Sequence, residues 1–273
     1  MDDASLRSLI RLRESPPAAV AWLLGAGSVV LTVFVWWLLT RGDIPEARVI
    51  SPAILPSPWE VVSSLWSLLT ERGLLRSIAA TLRRVLLGFF LAIAVGVPVG
   101  VLAGSWRGIA AFLAPLAVFG RNIPIAALIP LTILWFGIGE SQKVMFIFAA
   151  CVPFVFSDAA SAVAAVHQRY VETAQTLGAD SIQIVRRVLV PLALPDIYES
   201  LRHLFGLAFG YIMLAELINA EHGLGHLLAT SQRRGLTEHI FLILAVIGLL
   251  AFAIDRLLLW VERGLFPHRS GSH

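Results

Sequence analysis

The chain is poor in charge. Of its 273 residues only 14% are Asp, Glu, Lys or Arg, while 58% are apolar, and the mean hydropathy is +0.81. A soluble globular chain is closer to a quarter charged. The shortfall excludes a disordered protein, a coiled coil, a collagen-like fibre and an ordinary cytosolic enzyme. It leaves a polytopic helical membrane protein about one domain long. The one cysteine, Cys151, can form no internal disulfide and sits in an apolar run, where it reads as a small packed hydrophobe. Catalytic signatures are lacking too. There is no Gly-x4-Gly-Lys-Ser/Thr, and the nearest string, residues 137–143, has the wrong spacing to cradle phosphate. Neither His-Glu-x-x-His nor Gly-x-Ser-x-Gly occurs, so a protease or hydrolase has no apparatus. His222 and His226 are four apart, but Gly223 and Gly225 make that segment read as a loop, and no metal pair is expected. The net charge of +3 comes from scattered arginines, which suits anionic lipid head groups rather than nucleic acid.

Long apolar runs are what the chain has. Residues 18–40 carry no charge, and at ~1.5 Å per residue they cover the ~30 Å of a bilayer core. They predict a retained first span after a cytoplasmic tail, 1–17. Residues 41–77 predict an external loop, since Pro45, Pro52, Pro56 and Pro58 forbid one continuous helix. Within that loop Ser57-Pro58-Trp59-Glu60 reads as a helix start, with Ser as N-cap and Glu three residues later. The helix that follows places Val62, Leu65, Trp66 and Leu69 on one face, as an interfacial helix would. A second span is expected over 85–106, with Gly96, Gly100 and Gly104 on one face as a helix-packing seam. Residues 108–139, interrupted at Arg121-Asn122 and by three prolines, predict one span plus a short helix at the membrane edge. Further spans are expected over 144–166, near 204–220, and over 240–261. The core domain is therefore 78–263, with a cytoplasmic tail 264–273. Six spans put both termini on one side. Under an N-in arrangement eleven basic residues fall inside and nine outside, which places both termini in the cytoplasm.

Between the fourth and fifth spans lies a polar interval, from His167 to about Arg202. Val171, Ala174 and Leu177 recur at helical spacing, and Gly178 tolerates the positive φ that ends a helix. Asp180 or Ser181 can cap a second short helix, 182–189, which Pro191 is expected to end. A helical elbow outside the membrane is suited to docking in another protein's groove.

Glu172-Thr173-Ala174-x3-Gly178, followed by Val188-x-x-Pro191, resembles the signature of binding-protein-dependent ABC importer permeases. It departs from the usual pattern at Thr173 and Val190. Leu-Pro-Ser-Pro (55–58), Arg84-Val-Leu-Leu-Gly88-Phe89, Arg121-Asn-Ile-Pro124, Leu134-Trp-Phe-Gly-Ile-Gly-Glu140, Ala215-Glu216 and Gly223-Leu-Gly225 resemble the sulfonate/nitrate/taurine branch of that family. The resemblance implies an all-α, type I importer transmembrane domain in the bacterial inner membrane. It makes 167–195 the coupling helices, with Glu172, Thr173, Ala174, Leu177, Gly178, Ala179, Asp180, Val188 and Pro191 meeting an ATPase subunit. It implies a partner ATPase dimer that binds the ATP and magnesium, an extracytoplasmic solute-binding protein, and a second copy of the permease. The chain itself would carry no cofactor and no catalysis. The solute would be a small anion such as a sulfonate, taurine, nitrate or bicarbonate, or else a pyrimidine precursor of thiamine. A stand-alone secondary transporter or channel is the competing class; it would show inverted repeats, and no internal repeat is evident.

Ionisable groups inside spans usually face protein or a water-filled path. Arg121, Asn122 and Pro124, where the backbone is expected to be irregular, are candidates for the translocation path. Glu216 is a fourth, though it calls first for a backbone or basic partner. Asp255-Arg256 reads as an end-of-helix charge pair.

Overall fold

The computed structural model describes residues 17–42, 48–218 and 220–267. Residues 1–16 of the N-terminal tail, Pro45 and the last six residues of the C-terminal tail lie outside the described residues. Among the described residues the fold is all helical, and it divides into two compact units.

The first unit comprises residues up to 68 together with 231–242. Helix α1 (Ala18–Leu39) is the expected first span, and its side chains are exposed almost throughout, as in Trp22 and Val29. Helix α2 (Pro58–Thr70) starts where expected. Ser57 Oγ accepts the Glu60 N–H at 3.3 Å, and the Glu60 carboxylate accepts the Ser57 N–H at 2.7 Å, so the capping box is complete. Arg48 pairs with the same carboxylate at 2.9 Å and holds Glu60 well below its ordinary range, at about 2. The apolar side chains Val62, Leu65 and Trp66 point outward, while Val61, Ser64 and Leu68 are buried. An outward apolar stripe is what an interfacial helix needs, because lipid, not protein, receives it.

The second unit holds 69–230 and 243 onward. Its core is helix α3 (Leu74–Ser105) packed along α6 (Glu140–Ala164). Helix α3 begins eleven residues before the expected start at 85, because Arg83 and Arg84 do not end it: Arg84 is neutralised by acids from other helices. The expected glycine seam is real and longer than expected. A Cβ at Gly96 would lie 2.8 Å from Val155 Cγ1, at Gly100 2.6 Å from the Phe156 carbonyl oxygen, and at Gly104 2.5 Å from the Ala160 carbonyl oxygen. Gly88, against Val144, and fully buried Ala92 extend the seam toward the start of α3. Backbones can approach this closely only where side chains are absent or one methyl long. Cys151 is buried on α6, a packed hydrophobe as expected.

The third apolar region is not one straight span. Helix α4 (Arg107–Asn122) and the segment 125–136, which ends in α5 (Leu128–Phe136), meet at 90° around Pro124. Pro124 cannot donate to the helix before it and restricts the residue preceding it, so the chain turns there. Helix α6 then leads to α7 (Gln168–Thr176), α8 (Ser181–Ile184), a π turn (Val185–Leu189) and α9 (Val190–Glu216). Here the structure corrects the sequence reading: Pro191 does not end the second short helix. The π turn widens the ladder to i→i+5 just before Pro191, whose ring would otherwise meet the carbonyl of Arg187; Pro195 lies inside α9. The helical path therefore continues through both prolines. The segment after Gly223, read as a loop, is helix α10 (Leu224–Arg233), and α11 (Thr237–Leu265) follows.

Among the described residues, four helices are long and apolar enough to cross a membrane, and five if the bent pair forms one span. The expected six is reached only by adding α9, which carries Arg202, His203 and Glu216 and falls short in apolar character. Nor do Asp255 and Arg256 pair with each other. Asp255 faces Arg202 on α9 at 3.7 Å, and Arg256 stacks over Phe252.

Candidate functional site

Two constructions in the second unit stand out, at opposite ends of α6 and α9. The first is the elbow between them. Helix α7 ends in a Schellman motif: Gly178 N–H donates to the Gln175 carbonyl at 2.9 Å and Ala179 N–H to the Ala174 carbonyl at 3.0 Å. Gly178 has φ +81°, a conformation that L side chains rarely adopt. Asp180 then caps α8 with a capping box, its carboxylate accepting the Gln183 N–H at 2.8 Å while the Gln183 side chain accepts the Asp180 N–H at 3.2 Å. The Schellman motif and the capping box thus stand back to back, joining α7 to α8 through Gly178 and Asp180. The inner side of the elbow is anchored: Ile184 and Leu189 are buried against Val163 and Ala193, with Val171, Ala174, Ala179 and Val188 packed alongside. The outer side is bare. Leu177 is 82% exposed and Ile182 69%, flanking the turn, and Glu172 and Thr173 are exposed beside them.

The second construction is a buried charge node at the other end of the same helices. Arg84 (α3) is 2% exposed and Glu216, at the end of α9, is fully buried. Arg84 donates to Glu216 at 2.7 Å, to the His222 carbonyl at 2.7 Å, and through Nε and Nη2 to Glu140 at the start of α6. Thr81 Oγ1 donates to Glu216 at 2.9 Å and accepts the Leu224 N–H at 3.0 Å. Gly225 N–H donates to Glu216 at 2.9 Å. Any Cβ at Gly223 would collide with the Glu216 carboxylate, so glycine is required there. Burying a carboxylate is tolerable only when its charge is paired and its lone pairs are used, and both conditions hold. The node ties three long helices and the segment 222–225 into one body. Lys143, one turn into α6, is also buried and donates to the Gly139 carbonyl at 3.1 Å.

The four candidate path residues do not form one cluster. Glu216 belongs to the node. Arg121 is exposed, its guanidinium 5.6 Å from the centre of the Phe154 ring, roughly 21 Å along α6 from Glu140. Asn122 donates to the Val118 carbonyl at 2.7 Å, closing its own helix, and Pro124 forms the bend. Thr81, Arg84, Glu140 and Lys143 were missed as a site because the charges read as loop residues or helix ends. A signal existed. The strings holding Arg84, Glu140, Glu216 and Gly223-Leu-Gly225 are scattered along the chain, and all four converge on this node.

Long apolar helices seamed by glycine, together with a helical elbow beyond their ends, define a polytopic helical membrane protein. Residues 96–267 match the family described as the binding-protein-dependent transport system inner membrane component, and the chain belongs to it. It is 32% identical over 262 residues to the taurine transport system permease protein TauC of Escherichia coli K12, covering 94% of each chain. It is 37% identical over 232 residues to a probable ABC transporter permease protein, BMEII0107, of Brucella melitensis, covering 84% of this chain and 90% of the relative. Aliphatic sulfonate and nitrate permeases also match, which sets the chain in that branch. The fold is that of the transmembrane subunit in an inward-facing structure of the MetNI methionine ABC transporter (TM-score 0.65, 22% identity, 74% of this chain and 97% of that one).

Proposed function

We propose that this permease imports a small anion, a sulfonate such as taurine in the first instance, by alternating access driven by ATP that partner subunits hydrolyse with magnesium. The observation that carries the reading is the elbow at 168–189: rigid within itself, anchored inward, and bare outward at Leu177 and Ile182. A pair of apolar side chains on a capped turn is a knob for a protein groove. We place it in the cytoplasm, in the cleft of an ATPase subunit, which sets both termini inside and the charge node at the outer face. ATPase closure then pushes the elbow. Because α6 and α9 flank it directly and are tied to α3 by Arg84 at the far end, the push tilts three helices together instead of bending one.

Two copies of the chain would line the path, and a solute-binding protein would dock outside. The exposed guanidinium of Arg121, beside the bend at Pro124, would attract an anion in that path. The support is the family resemblance and the solute in the relative's name, taurine, which carries an anionic sulfonate group. The test is reconstitution with the cognate ATPase and binding protein in proteoliposomes. Uptake is expected to require internal ATP. L177D and I182D should abolish uptake while the permease still folds, because neither side chain is buried. Uptake that persists with both substitutions, or without ATP, contradicts the reading.

A further inference from the structure

Behind the elbow lies a cavity of about 460 Å³ that the transport mechanism leaves unused. That is within the ~300–1,000 Å³ range of small-molecule sites. Three of its walls are the end of α3, the start of α4 and the end of α6; the fourth is the elbow itself. Val163, Val171, Ile184, Val185 and Leu189 make its depth apolar. Ser105, Arg107, Gln168, Gln175 and Ser181 supply a polar rim, with one cation and no acid. Trp106 stands at the rim in extended backbone between two helices. Tryptophan belongs at the depth of lipid head groups, and a neighbouring arginine there pairs with anionic ones.

We propose that this cavity is a binding site for an anionic phospholipid of the inner leaflet, its head group at Arg107 and one acyl chain in the apolar depth. The site deepens the reading of 168–189 as the cytoplasmic coupling elbow and rests on it for the choice of leaflet. An occupying lipid would bridge the elbow to the ends of α3, α4 and α6, so an anionic bilayer would tighten the link between ATP use and transport.

The experiment uses the full-length permease in nanodiscs, with lipids brominated on the acyl chain as the probe. Quenching assigned to Trp106, as the difference from W106F, is expected to be stronger with brominated phosphatidylglycerol than with brominated phosphatidylcholine. R107Q should weaken the phosphatidylglycerol preference about fivefold, the worth of one surface arginine. A110L, which narrows the cavity, should reduce Trp106 quenching by both lipids. Equal quenching by the two lipids, or quenching that R107Q and A110L leave intact, overturns the proposal. Added inorganic phosphate that reverses the preference would show a free anion, not a lipid, at Arg107, and would also overturn it. No ATPase is present, so these outcomes are separable from the docking reading, which fails or stands on L177D and I182D.

Discussion

Removing the Glu216 side chain tests how the three-helix body is held. E216A takes from Arg84 its fully buried partner, from Thr81 its acceptor, and from Gly225 N–H its only partner in the node. Breaking a buried pair by deleting one member costs about 3–5 kcal/mol. Arg84 keeps Glu140 and the His222 carbonyl, so the lower end, about 3 kcal/mol, applies. E140A removes two contacts from the same arginine, yet the Glu140 side chain is 48% exposed and water can take its place. Its cost should be about 1 kcal/mol. The ~2 kcal/mol difference means roughly thirtyfold faster hydrogen exchange at the 224–225 amides in E216A than in E140A, a tenfold change being about 1.4 kcal/mol. In a double-mutant cycle R84A with E216A should cost less than the sum of the two, since each alone strands a buried charge. Equal exchange in E216A and E140A, or additive losses in the cycle, would refute the claim that Glu216 is the buried anchor.

Three further outcomes follow from the same geometry. G100L drives a side chain at the Phe156 carbonyl and Ala159 and should cost at least ~1–3 kcal/mol in thermal stability, whereas G27A, with open space around it, should cost little. G178A meets no neighbour but must hold φ +81°, so it should lose ~1–2 kcal/mol of local stability in the elbow, read as faster exchange at Ala179. Glu60 is depressed from 4.5 to about 2 by Arg48, so its folded carboxyl is the stronger acid. Its contribution is present above pH ~4.5 and lost as pH falls toward 2; the exchange rate of the Ser57 and 59–61 amides in native protein should converge on that of E60Q over that window, and a constant gap would contradict the pairing.

What could be read in the sequence were features that depend on neighbours in the chain. The Ser57 and Asp180 caps, the Gly178 turn and the Gly96-Gly100-Gly104 seam are set by local geometry and a fixed helical period, and each stands where expected. What could not be read depends on distant partners. Arg84 looks like a loop charge until Glu140 and Glu216 are brought to it from fifty-six and one hundred and thirty-two residues away. The same neutralisation starts α3 early. Pro191 looked like a terminator because a proline breaks the α ladder; the π turn that accommodates it has no simple pattern of residue types.

The central claim is that 168–189 faces the cytoplasm and grips an ATPase. Leu177→Cys in right-side-out and inverted vesicles, labelled with a membrane-impermeant maleimide, tests it directly, because native Cys151 is 2% exposed and contributes little background. Labelling is expected only in inverted vesicles, and purified partner ATPase should block it. Labelling from the outer side, or labelling from the inner side that the ATPase leaves unchanged, would contradict the account.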